Sequence, residues 1–366
     1  MPKISDILEK AYLEFDDIAA LLKTDDAAEM QLIFDKALKT KSEIIGRKVY
    51  LRGLIEMSNI CRKDCLYCGI RKSNANVVRY TLTHDEIMQS VDYAARCGFG
   101  SIVMQSGELL GNDFVCRTER LVDEIHRHYP EMLITMSCGE ESLQTYQRWF
   151  AAGARRYLLR IESSNREIYG KIHPNDSFHI FENRLQALND LRETGYQVGT
   201  GVMIGLPGQT EEDMANDLLF FRNLDVDMIG MGPYIEHSET PLFKKQSQLW
   251  PLGKRFQKSL MMIAVLRIMM PTINIAASTA LESLDPKGRQ KGLLAGANVV
   301  MPNVTPLSKK VNYKLYENKA GLYLNPSVAY QAICESIEAC GEMVCVNNPG
   351  IPKHFEDRTI NQNHLI

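Results

Sequence analysis

The chain of 366 residues carries 42 Lys and Arg against 45 Asp and Glu, a formal net charge of −3, and is 45% hydrophobic. These are the proportions of a folded protein with a sizeable core, and a near balance of charge with no basic block argues against a nucleic-acid partner. Nine cysteines, an odd number unevenly spaced, fit no disulfide framework and point to a reducing, cytoplasmic compartment.

The first residues lack the basic and then apolar pattern of an export signal. Residues 4 to 41 read as two short helices, with Ile7, Leu8, Tyr12, Leu13, Ile18, Leu21 and Leu22 at helical spacing. From Val49 onward, short β-branched runs alternate with segments of helical period. Strands are expected at 49 to 57, 100 to 105, 132 to 138, 156 to 162, 196 to 204, 227 to 231, 273 to 279 and 297 to 301. Helices are expected near 84 to 97, 113 to 129, 141 to 152, 178 to 194, 211 to 223 and 251 to 270, with further ones near 282 to 295 and 327 to 341. Thr83-x-x-Glu86 and Thr210-x-x-Asp213 supply start signals for two of them. Eight such units predict an α/β fold closed as a (β/α)8 TIM barrel over 46 to 345, after a helical lead-in at 1 to 45 packed on it and before a polar tail at 346 to 366. The longest apolar run, Leu260 to Leu266, is far short of a membrane span.

In such a barrel the chemistry belongs on the loops that follow the strands. After the first strand stand Cys61, Cys65 and Cys68, spaced Cys-x3-Cys-x2-Cys, with Tyr67 before the last. A closed structural zinc site needs four ligands, and the nearest histidine, His84, lies beyond the loop. Three thiolates on a cuboidal 4Fe-4S cluster leave one iron without a protein ligand, the vacancy that chelation of S-adenosylmethionine (SAM) requires. This spacing resembles the radical SAM superfamily. The resemblance implies that one electron from the cluster cleaves SAM to a 5'-deoxyadenosyl radical. Cys97, Cys116 and Cys138 read as small apolar side chains.

Further strand ends supply the rest of a pocket. Gln105 and Ser106 lead into Gly107-Glu108, similar to the superfamily's Gly-Gly-Glu element, in which the carboxylate accepts from the amino group of SAM. On the fourth strand Arg160 and Glu162 share a face toward the cavity and demand partners. They read either as a self-satisfying ion pair or as catalytic groups, with Arg160 holding a carboxylate and Glu162 accepting from the cofactor's ribose or amino group. Arg184 reaches the same rim from the next helix. Gly199, Gly201, Met203 and Gly205 alternate on one face of the fifth strand, a pattern that marks close approach by a ligand, expected to be adenosine. Ser278 and Thr279 offer neutral hydroxyls.

The segments 55 to 63, 157 to 160, 205 to 210 and 296 to 303 closely resemble the HydE family of FeFe-hydrogenase maturases, over about residues 45 to 320. The family acts on a small organometallic iron precursor carrying cysteine. Carried over by motif, Met301 and Tyr313 lie near SAM, while Gln105, Thr135, Arg160, Ser278, Thr279 and Tyr316 line the substrate end. The implied partners are a reductant such as flavodoxin or ferredoxin and other hydrogenase maturases. Three departures stand out. Ile161 and Ser163 replace the His and Thr of many members, and Leu109 replaces an Asp. No cysteine lies between Tyr316 and Leu324, where some members bind a second cluster, and Cys334, Cys340 and Cys345 read as helix packing. Alternatives are a paralogue acting on another small substrate, such as a methylornithine synthase-like mutase, or a noncatalytic iron–sulfur or zinc scaffold, which would need no SAM pocket.

Overall fold

A computed structural model describes residues 3 to 363. Its strands are β1 (Lys48–Ser58), β2 (Ser101–Ser106), β3 (Leu133–Ser137), β4 (Ala154–Leu158), β5 (Gln197–Thr200), β6 (Met203–Ile204), β7 (Met228–Ile229), β8 (Gly232–Pro233), β9 (Asn274–Ile275), β10 (Val299–Val300) and β11 (Met343–Cys345). All pair in parallel: the main sheet runs in the order β10-β1-β2-β3-β4-β5-β7-β9, and β6 pairs with β8 apart from it. A bridge between Ala276 and Val299 joins the two ends. There the Ala277 amide donates to Val299 and that of Asn298 to Ile275, each at 2.9 Å. Eight strands therefore close into a ring, with helices packed outside. β11 adds alongside the start of β1.

The helices begin where the sequence places stop-and-start chemistry. Thr83 and Thr210 each cap their helix reciprocally with Glu86 and Asp213. Three helices precede the barrel where two are expected: Ile4–Leu8, Phe15–Lys23 and Ala27–Ile44. Asp26 separates the last two by accepting from the amides of Ala28 and Glu29 at 2.9 Å. The apolar run 260 to 266 is buried throughout, within the helix Leu252–Met269. That helix holds the lead-in through the buried Lys258, which donates to Leu22 O at 2.6 Å and Asp25 at 3.0 Å. Among the described residues no helix is long and apolar enough to cross a membrane.

Some expected boundaries need correction. The fourth strand ends at Leu158, so Arg160 and Glu162 lie beyond it, and the fifth breaks between Thr200 and Met203. The two breaks face each other: the Glu162 amide donates to Gly201 O at 3.0 Å and the Met203 amide to Glu162 O at 3.1 Å. Glu162 itself has φ +66°, a conformation that costs a non-glycine residue energy and clusters at functional sites. Likewise the single helix expected at 282 to 295 is two, Thr279–Leu284 and Gly288–Leu294. Past Cys345 the chain does more than pack outside. Pro349 and Gly350 place their carbonyls beneath the barrel, where the buried Arg156 donates to both at 2.7 and 2.9 Å.

Candidate functional site

Strand alternation sets which side chains face the barrel interior. On β1, Gly53 lies against Phe99 and Ala94 of the outer layer. Its neighbours Arg52 and Leu54 therefore point inward, and so does Glu56. The same parity on β2 turns Val103 and Gln105 inward, and Glu56 stands opposite Gln105 in the register. Thr135 lies one layer deeper on β3, opposite Val103, and shares the interior with Arg52, Met228 and Met301.

The cysteine loop leaves β1 at Ser58. Its two ends are tied together by Arg79, which donates to the carbonyls of Asn59 and Ile70 at 2.7 Å and of Arg71 at 2.6 Å. Asn59 adds bonds to Val78 O and Asn312 O at 2.9 and 2.8 Å. Gly107 underlies the loop so closely that a Cβ there would sit 2.3 Å from Ile60 O. The three thiols lie close enough to act on one another. Burial pushes Cys65 up to about 12, with Cys61 adding to it, and burial followed by Cys65 and Cys61 pushes Cys68 up. Three thiolates gathered here are costly unless a polycationic centre neutralises them, and soft sulfur donors select such a centre. Among the described residues no three His, Cys, Asp or Glu side chains converge as ligands of a single ion. Three thiolates, one short of the four ligands of a closed structural zinc site, fit a polynuclear iron–sulfur group.

Beside the loop lies a dense set of charges. Glu108 faces Arg62 at 2.8 Å and Lys63 at 3.5 Å, and its second oxygen accepts from the Glu140 amide at 3.1 Å. Sequence reasoning expects a free acceptor at Glu108; the structure shows one already engaged. Arg184 is buried, pairs with Glu140 and donates to Arg160 O at 2.5 Å. Burial works against ionisation of Glu140, but Arg184 and Lys63 hold its carboxyl below the usual range. Arg160 donates to Val202 O at 2.8 Å, and its guanidinium stands 3.0 Å from Glu162. The contact is made by Arg160 Nη2, the nitrogen that donates to Val202 O, and among the described residues neither Arg160 Nε nor Glu162 Oε2 has a hydrogen-bond partner. Burial raises the Glu162 carboxyl, against Arg160 and Arg184. The pair is not self-satisfying, which favours a ligand between the groups over mutual neutralisation.

A pocket wall completes the arrangement. Tyr67 and Met203 join one apolar cluster with Ile168, Ile172, Leu206, Tyr234 and Leu242. Tyr67 Oη is 3.5 Å from His173 Nε2, and its ring meets His173 edge-on at 5.5 Å. At Gly201 a Cβ would lie 1.9 Å from Gly230 O, so backbone alone can occupy this position. On the far side Tyr313 is buried, its hydroxyl pushed up by burial, Glu56 and Tyr80, then by Cys68 and Cys61, which places it between Glu56 and the cysteine loop. Thr279 and Met301 line a groove with Lys319, and Thr279 Oγ1 accepts from Arg289 at 3.1 Å. Ser278 Oγ is buried beside Gly232 with no partner, as is Thr135 Oγ1. Tyr316, half-buried near Ser283 and Arg289, has its hydroxyl pushed up to about 12, chiefly by burial.

Sequence reasoning missed Arg79, Glu140, Glu56 and Lys319. Glu56 is legible in hindsight, because Arg52, Leu54 and Glu56 share one face of β1. The other three act from loops that no periodicity marks. Cys334, Cys340 and Cys345 fall on a helix, at its end and on β11 respectively, away from this site.

Comparisons with known proteins follow the same geometry. The Radical SAM superfamily profile matches residues 55–221, from β1 to the helix Glu211–Asn223. Over 341 residues the chain is 37% identical to the [FeFe] hydrogenase maturase subunit HydE of Thermotoga maritima, covering 93% of this chain and 94% of that one. It is 28% identical over 314 residues to a 3-methylornithine synthase of Methanosarcina acetivorans, covering 84% and 85%. A crystal structure of methylornithine synthase (PylB) matches with a TM-score of 0.80 at 23% identity over 94% of this chain and 98% of the other, which speaks for a shared fold.

Proposed function

The chain belongs to the HydE family of the radical SAM superfamily, and on that premise we propose that it works in [FeFe] hydrogenase maturation on a small organometallic substrate. The observation that carries this reading is the near full-length likeness to HydE together with the three thiols grouped at the mouth of the barrel. Cys61, Cys65 and Cys68 hold the 4Fe-4S cluster. When bound, the cluster and SAM supply a one-electron reductive cleavage that yields a 5'-deoxyadenosyl radical.

The chain's own residues then do the positioning. Met203 and Tyr67 wall the nucleoside off from water, while the missing side chain at Gly201 makes room for Gly230 O rather than for the ligand expected from the sequence. Arg160 and Glu162, each with an unused polar atom, orient the cofactor. Glu108 and Glu140 hold Lys63 and Arg184 in place behind them. Ser278, Thr135, Thr279, Gln105 and Tyr316 line the substrate end, with Met301 and Tyr313 between it and SAM. A flavodoxin or ferredoxin supplies the electron, and other hydrogenase maturases supply or receive the small-molecule product. A cytoplasmic setting suits these partners.

Anaerobic reconstitution tests the reading. About four irons per chain, the content of a cuboidal cluster, and 5'-deoxyadenosine from SAM are expected, both lost in Cys65→Ala. Restoration of active hydrogenase in a strain lacking its own maturase tests the pathway. The likeness to 3-methylornithine synthase supports a second reading, a mutase acting on an amino acid. Formation of 3-methylornithine without hydrogenase rescue would establish it.

A further inference from the structure

Outside the ring of strands, beside the root of the cysteine loop, lies a cavity of about 320 Å³ that the chemistry above leaves unused. Its floor is apolar. Met57, which shares the outward parity of Gly53 on β1, meets Leu82, Ile87, Phe114 and Leu121, all of them buried and all lining the cavity. One wall consists of both roots of the cysteine loop. The Leu82 amide donates to Met57 O at 2.7 Å, and Ser58 Oγ stands 3.0 Å from Thr81 Oγ1 and accepts from the Ile60 amide at 3.2 Å, one residue before Cys61. The opposite wall is the helix Asn112–His128.

The rim carries an excess of positive charge. Arg117 and Arg120, three residues apart and so on one face of that helix, line the cavity, are exposed, and make no ion pair or hydrogen bond among the described residues. Their neighbours are engaged elsewhere: Arg127 pairs with Asp123 at 2.6 Å, and Glu124, the carboxylate that lines the cavity, is met by His84 at 2.8 Å. A solvated arginine alone calls for no explanation. Two of them above an apolar well that close packing would otherwise fill are the layout of a ligand pocket, in which mostly apolar walls carry a few convergent polar groups. The volume falls within the range of small-ligand sites.

We propose that this cavity binds a small phosphate monoester with an apolar body, and that its occupant braces the two roots of the cysteine loop. A phosphate monoester carries about two negative charges at neutral pH, which the two guanidinium groups match. Their planar forks take phosphate oxygens in pairs. The apolar body fills the well over Ile87 and Phe114. Held between Leu82 and Leu121, it ties the returning root of the loop to the helix behind, and through Leu82 to Met57. The site is separate from the barrel interior, because Met57 and Glu56 lie on opposite faces of β1. It therefore stands whichever substrate the barrel takes.

The experiment uses the full-length protein reconstituted with its cluster, with phenyl phosphate as the probe and inorganic phosphate and phenol as its two halves. In calorimetry phenyl phosphate is expected to bind at least about 10-fold more tightly than either half. The double variant Arg117→Gln, Arg120→Gln changes only exposed side chains without partners, so its fold is kept. Its affinity for phenyl phosphate is expected to fall by about 10- to 100-fold. Amide hydrogen exchange over residues 57 to 83, read by mass spectrometry, is expected to slow by about 3-fold or more with phenyl phosphate in the wild type and not in the double variant. Absence of binding, an affinity unchanged in the double variant, or equal binding of inorganic phosphate overturns the site. Tight binding with no added protection at 57 to 83 overturns the bracing. Neither readout needs SAM or turnover, so both stand apart from the tests of the family reading.

Discussion

The two ends of the barrel both bury charges and treat them differently. Beneath the strands, the cations are met largely by main-chain carbonyls that belong to neighbouring segments. Arg156 donates to Pro349 O and Gly350 O and to Gln197, and Arg267 to Gly296 O, Pro271 O and Ile273 O. These bonds knit the C-terminal segment and the last strands to the floor, although one nitrogen of Arg156 is left without a partner. At the mouth, charges are arranged as a chain in which Lys63, Glu108, Glu140, Arg184, Arg160 and Glu162 each touch the next, and it ends in Arg160 Nε and Glu162 Oε2, which have no partner among the described residues. The floor spends its cations chiefly on the backbone of neighbouring segments; the mouth spends them chiefly on carboxylates. That division follows the general rule for this barrel, in which chemistry sits at the strand C-termini.

The sharpest way to break the comparison is at the floor. Arg156→Met removes three donors at once and leaves the Pro349 and Gly350 carbonyls and Gln197 without them. A stability loss of about 2–4 kcal/mol is expected in denaturant titrations. Iron content and SAM cleavage per folded molecule should stay within about twofold at low temperature, because Arg156 touches nothing at the mouth. A loss of SAM cleavage with little change in stability would erase the distinction between the two ends.

The complementary variant is Arg184→Lys. It keeps a cation beside Glu140 but loses the planar fork that also reaches Arg160 O. SAM cleavage is expected to fall by about 10- to 100-fold, since the carbonyl that fixes the Arg160 backbone loses its donor, while the stability change stays under about 1.5 kcal/mol. A variant with full activity would show that Arg184 merely fills space.

How much of this was open to sequence reasoning follows the same divide. The alternation of β-branched runs and helical periods gave the barrel, and the spacing of Cys61, Cys65 and Cys68 gave the cluster loop, because both are short-range patterns. The ends of β4 and β5 were overrun. Nothing local announces that Glu162 turns to positive φ; its conformation is imposed by bonds to Gly201 and Met203 on a strand 40 residues away. Glu108 was placed beside the loop, but its engagement by Arg62 and Lys63 depends on side chains that point back across the loop. Lys319 is invisible for the same reason: its partner, Glu56, is 263 residues distant. Long-range pairing of charges leaves no periodic trace, and this is where the mouth differs from its sequence description.

The smallest effect separates two buried carboxylates, one from each end. Asp227 at the floor accepts from the Val198 amide and pairs with Arg358 at 2.9 Å; burial raises its carboxyl, and Arg358 opposes the rise. Asp217, behind the mouth, holds the turn after Glu162 through Ser164 N at 2.7 Å and Ser164 Oγ at 2.6 Å, and no cation touches it. Burial pushes it up to about 7. Its unfolded value is about 3.9, so between those two values the folded chain binds a proton that the unfolded chain has released. Stability must therefore fall as pH rises from about 4 to about 7, then level off. Asp217→Asn keeps an acceptor for Ser164 and removes the titration. Its stability relative to the wild type is expected to improve steadily from about pH 4 to about pH 7 and then hold, read from unfolding curves at matched ionic strength. Parallel pH profiles for the two proteins would mean that Asp217 ionises freely, and that the mouth tolerates an unpaired charge as readily as the floor.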